Sequence, residues 1–179
     1  RKRVLNSTLA VLTFVIVASG FLLYRQQSIN ERNQQIVANL VDTLATDNFP
    51  QVLQTIDRLA SYRTWADSEL LNRYTSAVDG TPEKYRMGLG LLASSNTPLN
   101  YLRDHSLTLN VQDIPAVSKS LQPFGSQLAS YYESAVQNDE LSTKQRFVAA
   151  CFLASLSPSS SMWSQESVIE FITAQILSV

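Results

Sequence analysis

One cysteine and one histidine in 179 residues remove most site chemistry at the outset. Cys151 has no second thiol with which to close an intrachain disulfide or build a tetrahedral metal site. Its expected place is that of a small buried hydrophobe. His105 cannot form a multi-histidine metal cluster, and a surface position at a helix end is expected for it. Charge is also scarce: 16% of residues are charged, the net charge is −1, and no basic patch stands out, so nucleic acid is not an expected partner. No G-x-S-x-G elbow is present. Strand signals are missing too, since no segment alternates with β-branched enrichment and the nearest, LTLNV at 107–111, is short.

What is present is apolar sequence, 45% of the chain. The first run, Val4 to Tyr24, carries no charge for 21 positions. A helix of that length covers roughly 30 Å, the thickness of a bilayer's hydrocarbon core. The run predicts a transmembrane helix in residues 1–25, with a signal peptide and a buried helix as alternatives. Arg1, Lys2 and Arg3 precede it, and Arg25 and Arg32 follow. The positive-inside rule then puts the N-terminal side in the cytoplasm and residues 26–179 outside it, as in a single-pass protein of a bacterial inner membrane. Because the chain opens on Arg1 and not on Met, it is expected to be a piece of a longer protein.

Past the first run the chain reads as successive helices. Ile29, Ile36, Val37, Leu40, Val41 and Leu44 recur at helical spacing, which predicts a stalk over 26–48. Asn48 before Phe49-Pro50, and Thr81 before Pro82, are cap-then-proline helix starts. Stripes at Val52, Leu53, Ile56 and Leu59, at Trp65, Leu70, Leu71 and Tyr74, and at Tyr85, Leu89 and Leu92 predict three helices, and Leu99 to Leu107 a short fourth.

KYRMGLGLLAS at 84–94 then returns as RFVAACFLAS at 146–155, an offset of 62. The same offset carries Val52 to Ile114, Leu59 to Leu121, Tyr62 to Phe124, Gly88 to Ala150, Leu91 to Leu153 and Tyr101 to Trp163. Matched classes at a fixed period without a gap are the signature of stacked units. The predicted fold is therefore all-α: one N-terminal transmembrane helix, then two stacked four-helix, HEAT-like repeat units at 49–110 and 111–179.

Site residues are not singled out. Gly88 to Ala93 fits a relaxed G-x-G-x-x-A dinucleotide fingerprint, but the residues before it start a helix where that motif needs a strand. Carboxylates at Asp42 to Asp47 and at Asp139-Glu140 fall at turns and solvated faces. Ser161 or Ser164 is the expected N-cap of the last helix, and Trp65 and Trp163 are expected packing anchors. The sequence assigns no catalytic, cofactor-binding or metal-binding residue.

The order of these elements, with LASYRTWADSELLNRY running from Leu59 and KQRFVAACFLAS followed by a tryptophan, resembles a region of large membrane-bound serine/threonine protein kinases of planctomycete bacteria. There a kinase domain precedes one membrane helix and an extracytoplasmic helical region, often followed by a formylglycine-generating-enzyme-like or WD-repeat domain. Val148 departs from that pattern, which usually has a second arginine there. The resemblance implies a non-catalytic membrane anchor and helical scaffold or sensor region, with ATP and magnesium used only by a parent kinase, since no kinase motif lies in these residues. The partners implied are the lipid bilayer and a protein partner or neighbouring domain, with a homodimer also considered. The alternatives are an independent membrane-tethered helical-repeat scaffold without a kinase, and an enzyme with a carboxylate site between the units.

Overall fold

The computed structural model describes the backbone of residues 2–177 and the side chains of residue 21 and residues 23–177. Among the described residues every regular element is helical, as the absence of strand signals predicted. The α-helices are α1 (Lys2–Thr46), α2 (Phe49–Leu59), α3 (Arg63–Ser76), α4 (Pro82–Leu91), α5 (Leu99–Ser106), α6 (Ile114–Leu121), α7 (Gly125–Gln137), α8 (Thr143–Leu156) and α9 (Glu166–Leu177). Single 3-10 turns occupy 60–62, 111–113, 122–124 and 161–164.

Helix starts follow local chemistry. Asn48 Oδ1 accepts from the Gln51 amide and the Thr81 hydroxyl from the Lys84 amide, each satisfying a donor that the first helical turn leaves free. Both helices carry proline in the first turn, where no intrahelical amide is needed. Ser142 and Gln145 form a reciprocal capping box at the start of α8. The last helix is different from the expectation: Ser160 caps the 161–164 turn and α9 begins at Glu166, so neither Ser161 nor Ser164 is its N-cap.

One expectation for the N-terminal region is corrected, the membrane span. Among the described residues no helix is long and apolar enough to cross a membrane, which removes the support for a single-pass membrane protein and for the placement of residues 26–179 outside the cytoplasm. The side chains of residues 1–20 and 22, which carry most of the apolar run, lie outside the described residues. The described part of α1 is broken by Arg25, Glu31, Arg32 and Asp42.

Val37, Leu40, Val41 and Leu44 are buried, because the end of α1 packs on α2, α3 and α4, whereas residues 23–36 of the same helix are exposed or half-buried.

The 62-residue offset reappears in the backbone. The turn at 60–62 maps onto that at 122–124, α2 and α6 end at Leu59 and Leu121, and α3 and α7 begin at Arg63 and Gly125. The end of α1 maps onto α5. One continuous core links the elements, with Leu59, Leu70, Met87, Leu102, Ile114, Leu121, Leu128, Tyr132, Phe152 and Leu153 among its fully buried side chains.

Small residues decide how closely the helices approach. A Cβ on Gly90 would lie 3.1 Å from Leu44 and 3.2 Å from Leu70, and one on Gly125 would lie 3.0 Å from the Leu156 carbonyl oxygen. Gly90 therefore lets α4 lie against both α1 and α3.

Candidate functional site

Most of the residues noted in the sequence occupy packing or hydrogen-bonded positions. Gly88 and Gly90 lie buried inside α4 and follow helix, not strand. Cys151 is half-buried, and burial pushes its thiol pKa up, away from thiolate chemistry. Asp42 pairs with Arg73, Asp139 with Arg146 at 2.6 Å, and Asp47 accepts from Thr55 at 2.7 Å. Trp65 and Trp163 are half-buried against the core. Among the described residues no three His, Cys, Asp or Glu side chains cluster as a metal site would need.

A concavity lies where α2, α4 and α5 meet the connection to α6. It holds about 230 Å³ and is lined in part by Phe49, Thr81, Tyr85, Tyr101, His105 and Asp113. Each wall has a local cause. Phe49 opens α2 and meets the Tyr85 ring edge-on at 5.8 Å. Tyr101 and His105 stand one turn apart on α5, with stacked rings 4.1 Å between centroids. Asp113 ends the 111–113 turn, immediately before α6.

The Nδ1 of His105 lies 3.0 Å from the Tyr101 carbonyl oxygen, which can only accept, so Nδ1 donates there. The Asp113 carboxylate makes no ion pair or hydrogen bond among the described residues. Asp113 is also positioned as the residue before α6 without capping it.

Several other polar atoms of the wall are engaged. The Gly80 amide donates to the Tyr101 hydroxyl at 3.0 Å, the Thr81 hydroxyl donates to the Val78 carbonyl, and the Thr108 hydroxyl donates to the His105 carbonyl. Both threonine hydroxyls are thus tied to backbone, and neither is set against His105 as a nucleophile against its base. The arrangement suits binding better than covalent catalysis.

Two buried polar atoms nearby lack hydrogen-bond partners, the Tyr85 hydroxyl and Arg86 Nε. Tyr85 is 3% exposed, and burial drives its pKa well above the ordinary tyrosine value. Arg86 donates through its terminal nitrogen to the Ala45 carbonyl, one of the carbonyls that the end of α1 leaves without an intrahelical partner, and its guanidinium lies 5.6 Å from the Phe49 ring centroid.

Sequence reasoning had no handle on this pocket. His105 was placed at a helix end, which is right, but it is half-buried and shares a wall with Asp113 eight residues on. The 3-10 turn that brings Asp113 around has no strong sequence signal.

No family model matches the chain, and no curated protein and no solved structure matches it. The kinase, transferase and ATP-binding attributes that the resemblance implied accordingly gain no support.

Proposed function

We propose that this helical array is a non-catalytic protein-binding scaffold and a region of a larger protein. Its two halves are read as HEAT-like units of about four helices, one at 49–110 and its repeat at 111–179, with the end of α1 as the helix that covers the first unit. The observation that carries this is the coincidence of helix ends and 3-10 turns at the offset of 62. Repeat units of this kind bury their faces on their neighbours and leave extended surfaces for partners. The two phrases shared with kinase-associated helical regions support membership of a larger protein and carry no more than that.

The array is tested with its two tryptophans, one in each half. In denaturant, Trp65 fluorescence in a Trp163→Phe chain and Trp163 fluorescence in a Trp65→Phe chain should report one shared transition, because the halves share a core. Two separated transitions would undo the stacked reading. Binding is tested by placing a photo-cross-linking residue at exposed Asn110 in the source cells. A single protein adduct is expected, and an intact chain that yields none would remove the scaffold assignment.

A further inference from the structure

We propose that the pocket between Phe49, Tyr101, His105 and Asp113 is a binding site for one ammonium or guanidinium group. The inference rests on the scaffold reading only for the source of that group, a basic side chain of a protein partner in preference to a free small amine.

The walls keep one charged acceptor, the Asp113 carboxylate, which makes no hydrogen bond or ion pair among the described residues and whose charge is felt by Arg86, while the Nδ1 of His105 is already committed. The Gly80 and Thr81 groups and the Thr108 hydroxyl are tied to neighbours, and the donors left over, the Tyr85 and Tyr101 hydroxyls and the Asn110 amide, carry no charge. A site whose one charged lining group is a carboxylate without a hydrogen bond is matched by a ligand rich in N–H groups and carrying positive charge.

The aromatic walls point the same way. Phe49, Tyr85 and Tyr101 line the pocket, and cations are attracted to aromatic ring faces within about 6 Å. The chain already uses this contact beside the pocket, where Lys84 Nζ lies 5.2 Å from the Tyr101 ring centroid and Arg86 approaches Phe49.

The start of α4 also faces the pocket and would favour an anion through the helix dipole. That end is already satisfied: Pro82 has no amide hydrogen, the Lys84 amide donates to Thr81, and Glu83 stands in the first turn. Of the neighbouring cations, Lys84 is paired with Asp79 at 2.8 Å, and Arg86, which interacts with Asp113 through space, donates to the Ala45 carbonyl and leaves the Asp113 oxygens without a hydrogen bond.

Size limits the ligand. About 230 Å³ falls below the roughly 300–1,000 Å³ of sites for drug-sized molecules, so the pocket takes a side-chain-sized group and not a cofactor.

His105 is the only histidine in the chain, so its ring protons give an isolated proton NMR signal at the site. The 179-residue chain is titrated at neutral pH and low salt with butylguanidinium, with butyrate as the anionic control, and with a Gly/Ser peptide bearing one central arginine. Saturable shifts of the His105 signals with the two cations, and none with butyrate, are expected. Asp113→Asn should weaken the butylguanidinium affinity about tenfold or more, the loss of one charge-assisted contact. Its helical circular dichroism should be unchanged, because the carboxylate caps nothing. Tighter binding of the peptide than of butylguanidinium assigns the site to a partner's basic side chain, and the reverse assigns it to a free amine. Absence of saturation, an equal response to butyrate, or an Asp113→Asn chain that binds as before would overturn the proposal. None of these outcomes bears on the tryptophan test of the array.

Discussion

The two halves of the molecule place polar groups at different points of the same plan. In the first half Leu44, Leu70 and Gly90 meet, with the glycine accepting the two leucines. At the offset of 62 stand Ser106, Tyr132 and Phe152. These meet as well: the Tyr132 and Phe152 rings stack at 5.0 Å, and the Tyr132 hydroxyl donates to Ser106 at 3.0 Å. Elsewhere the polarity is reversed. Asp47 accepts from Thr55 beside Arg86 in the first half, where the second has Leu109, Val117 and Val148. Each exchange involves three positions together, and that is what a close-packed interior demands when one member changes volume or polarity.

The first trio gives the largest expected effects. Phe152→Ala removes a fully buried ring and should cost about 3–5 kcal/mol in urea unfolding. Gly90→Phe drives a ring into Leu44 and Leu70, and should cost at least about 1–3 kcal/mol. If the two sites are equivalent, adding Leu44→Ser and Leu70→Tyr to Gly90→Phe should recover part of that loss. A triple variant no better than the single one would break the equivalence.

The polar trio is next. Asp47→Leu leaves the Thr55 hydroxyl buried without its acceptor and removes a carboxylate near the partly buried Arg86, and should cost about 1–3 kcal/mol. Adding Thr55→Val and Arg86→Val rebuilds the apolar set of the second half and should return stability toward the parent value. Arg86 itself serves the end of α1, through its hydrogen bond to the Ala45 carbonyl.

These trios explain what could and could not be read from the sequence. Helix starts at Asn48 and Thr81 were legible because capping is local, and the period was legible because apolar classes recur at one offset. The trios were hidden because Gly90 aligned with Phe152, or Thr55 with Val117, looks like a mismatch until the third member is known. The burial of Val37 to Leu44 was missed for a related reason: an amphipathic stripe shows which face is apolar but not whether a neighbour covers it. The membrane span was read from hydropathy alone, and Asp113 reaches the pocket through a 3-10 turn that no local pattern announced.

A smaller difference lies in one hydroxyl. Tyr85 buries a hydroxyl without a partner, and Phe147 stands at the matching position. Tyr85→Phe should be neutral or stabilising by about 1 kcal/mol. The pKa values of Tyr85 and Tyr132 are both raised, chiefly by burial. Their contribution is intact below the ordinary tyrosine pKa of about 10, and stability should fall as pH rises above it, because the unfolded chain ionises first. Absorbance at alkaline pH should show two tyrosines that ionise only with unfolding, and one in Tyr85→Phe.

The smallest expected effect is an exposed pair that both halves keep. Lys84 is tied to Asp79 at 2.8 Å, and Arg146, at the matching position, to Asp139 at 2.6 Å. The hydrogen bond from Lys84 lowers the Asp79 pKa. A lowered carboxylate pKa means that the stabilisation is present above the unfolded value of about 3.9 and is lost as pH falls through the folded one. Asp79→Asn should therefore leave the thermal midpoint nearly unchanged at pH 7 in high salt, where an exposed pair is screened. At low salt a small difference from the parent should be seen at pH 7 and should vanish in strong acid. If instead Asp79→Asn lowered the midpoint as much as Asp47→Leu, the loop before α4 would be a structural hinge of the first half, and its correspondence with the loop before α8 would fail.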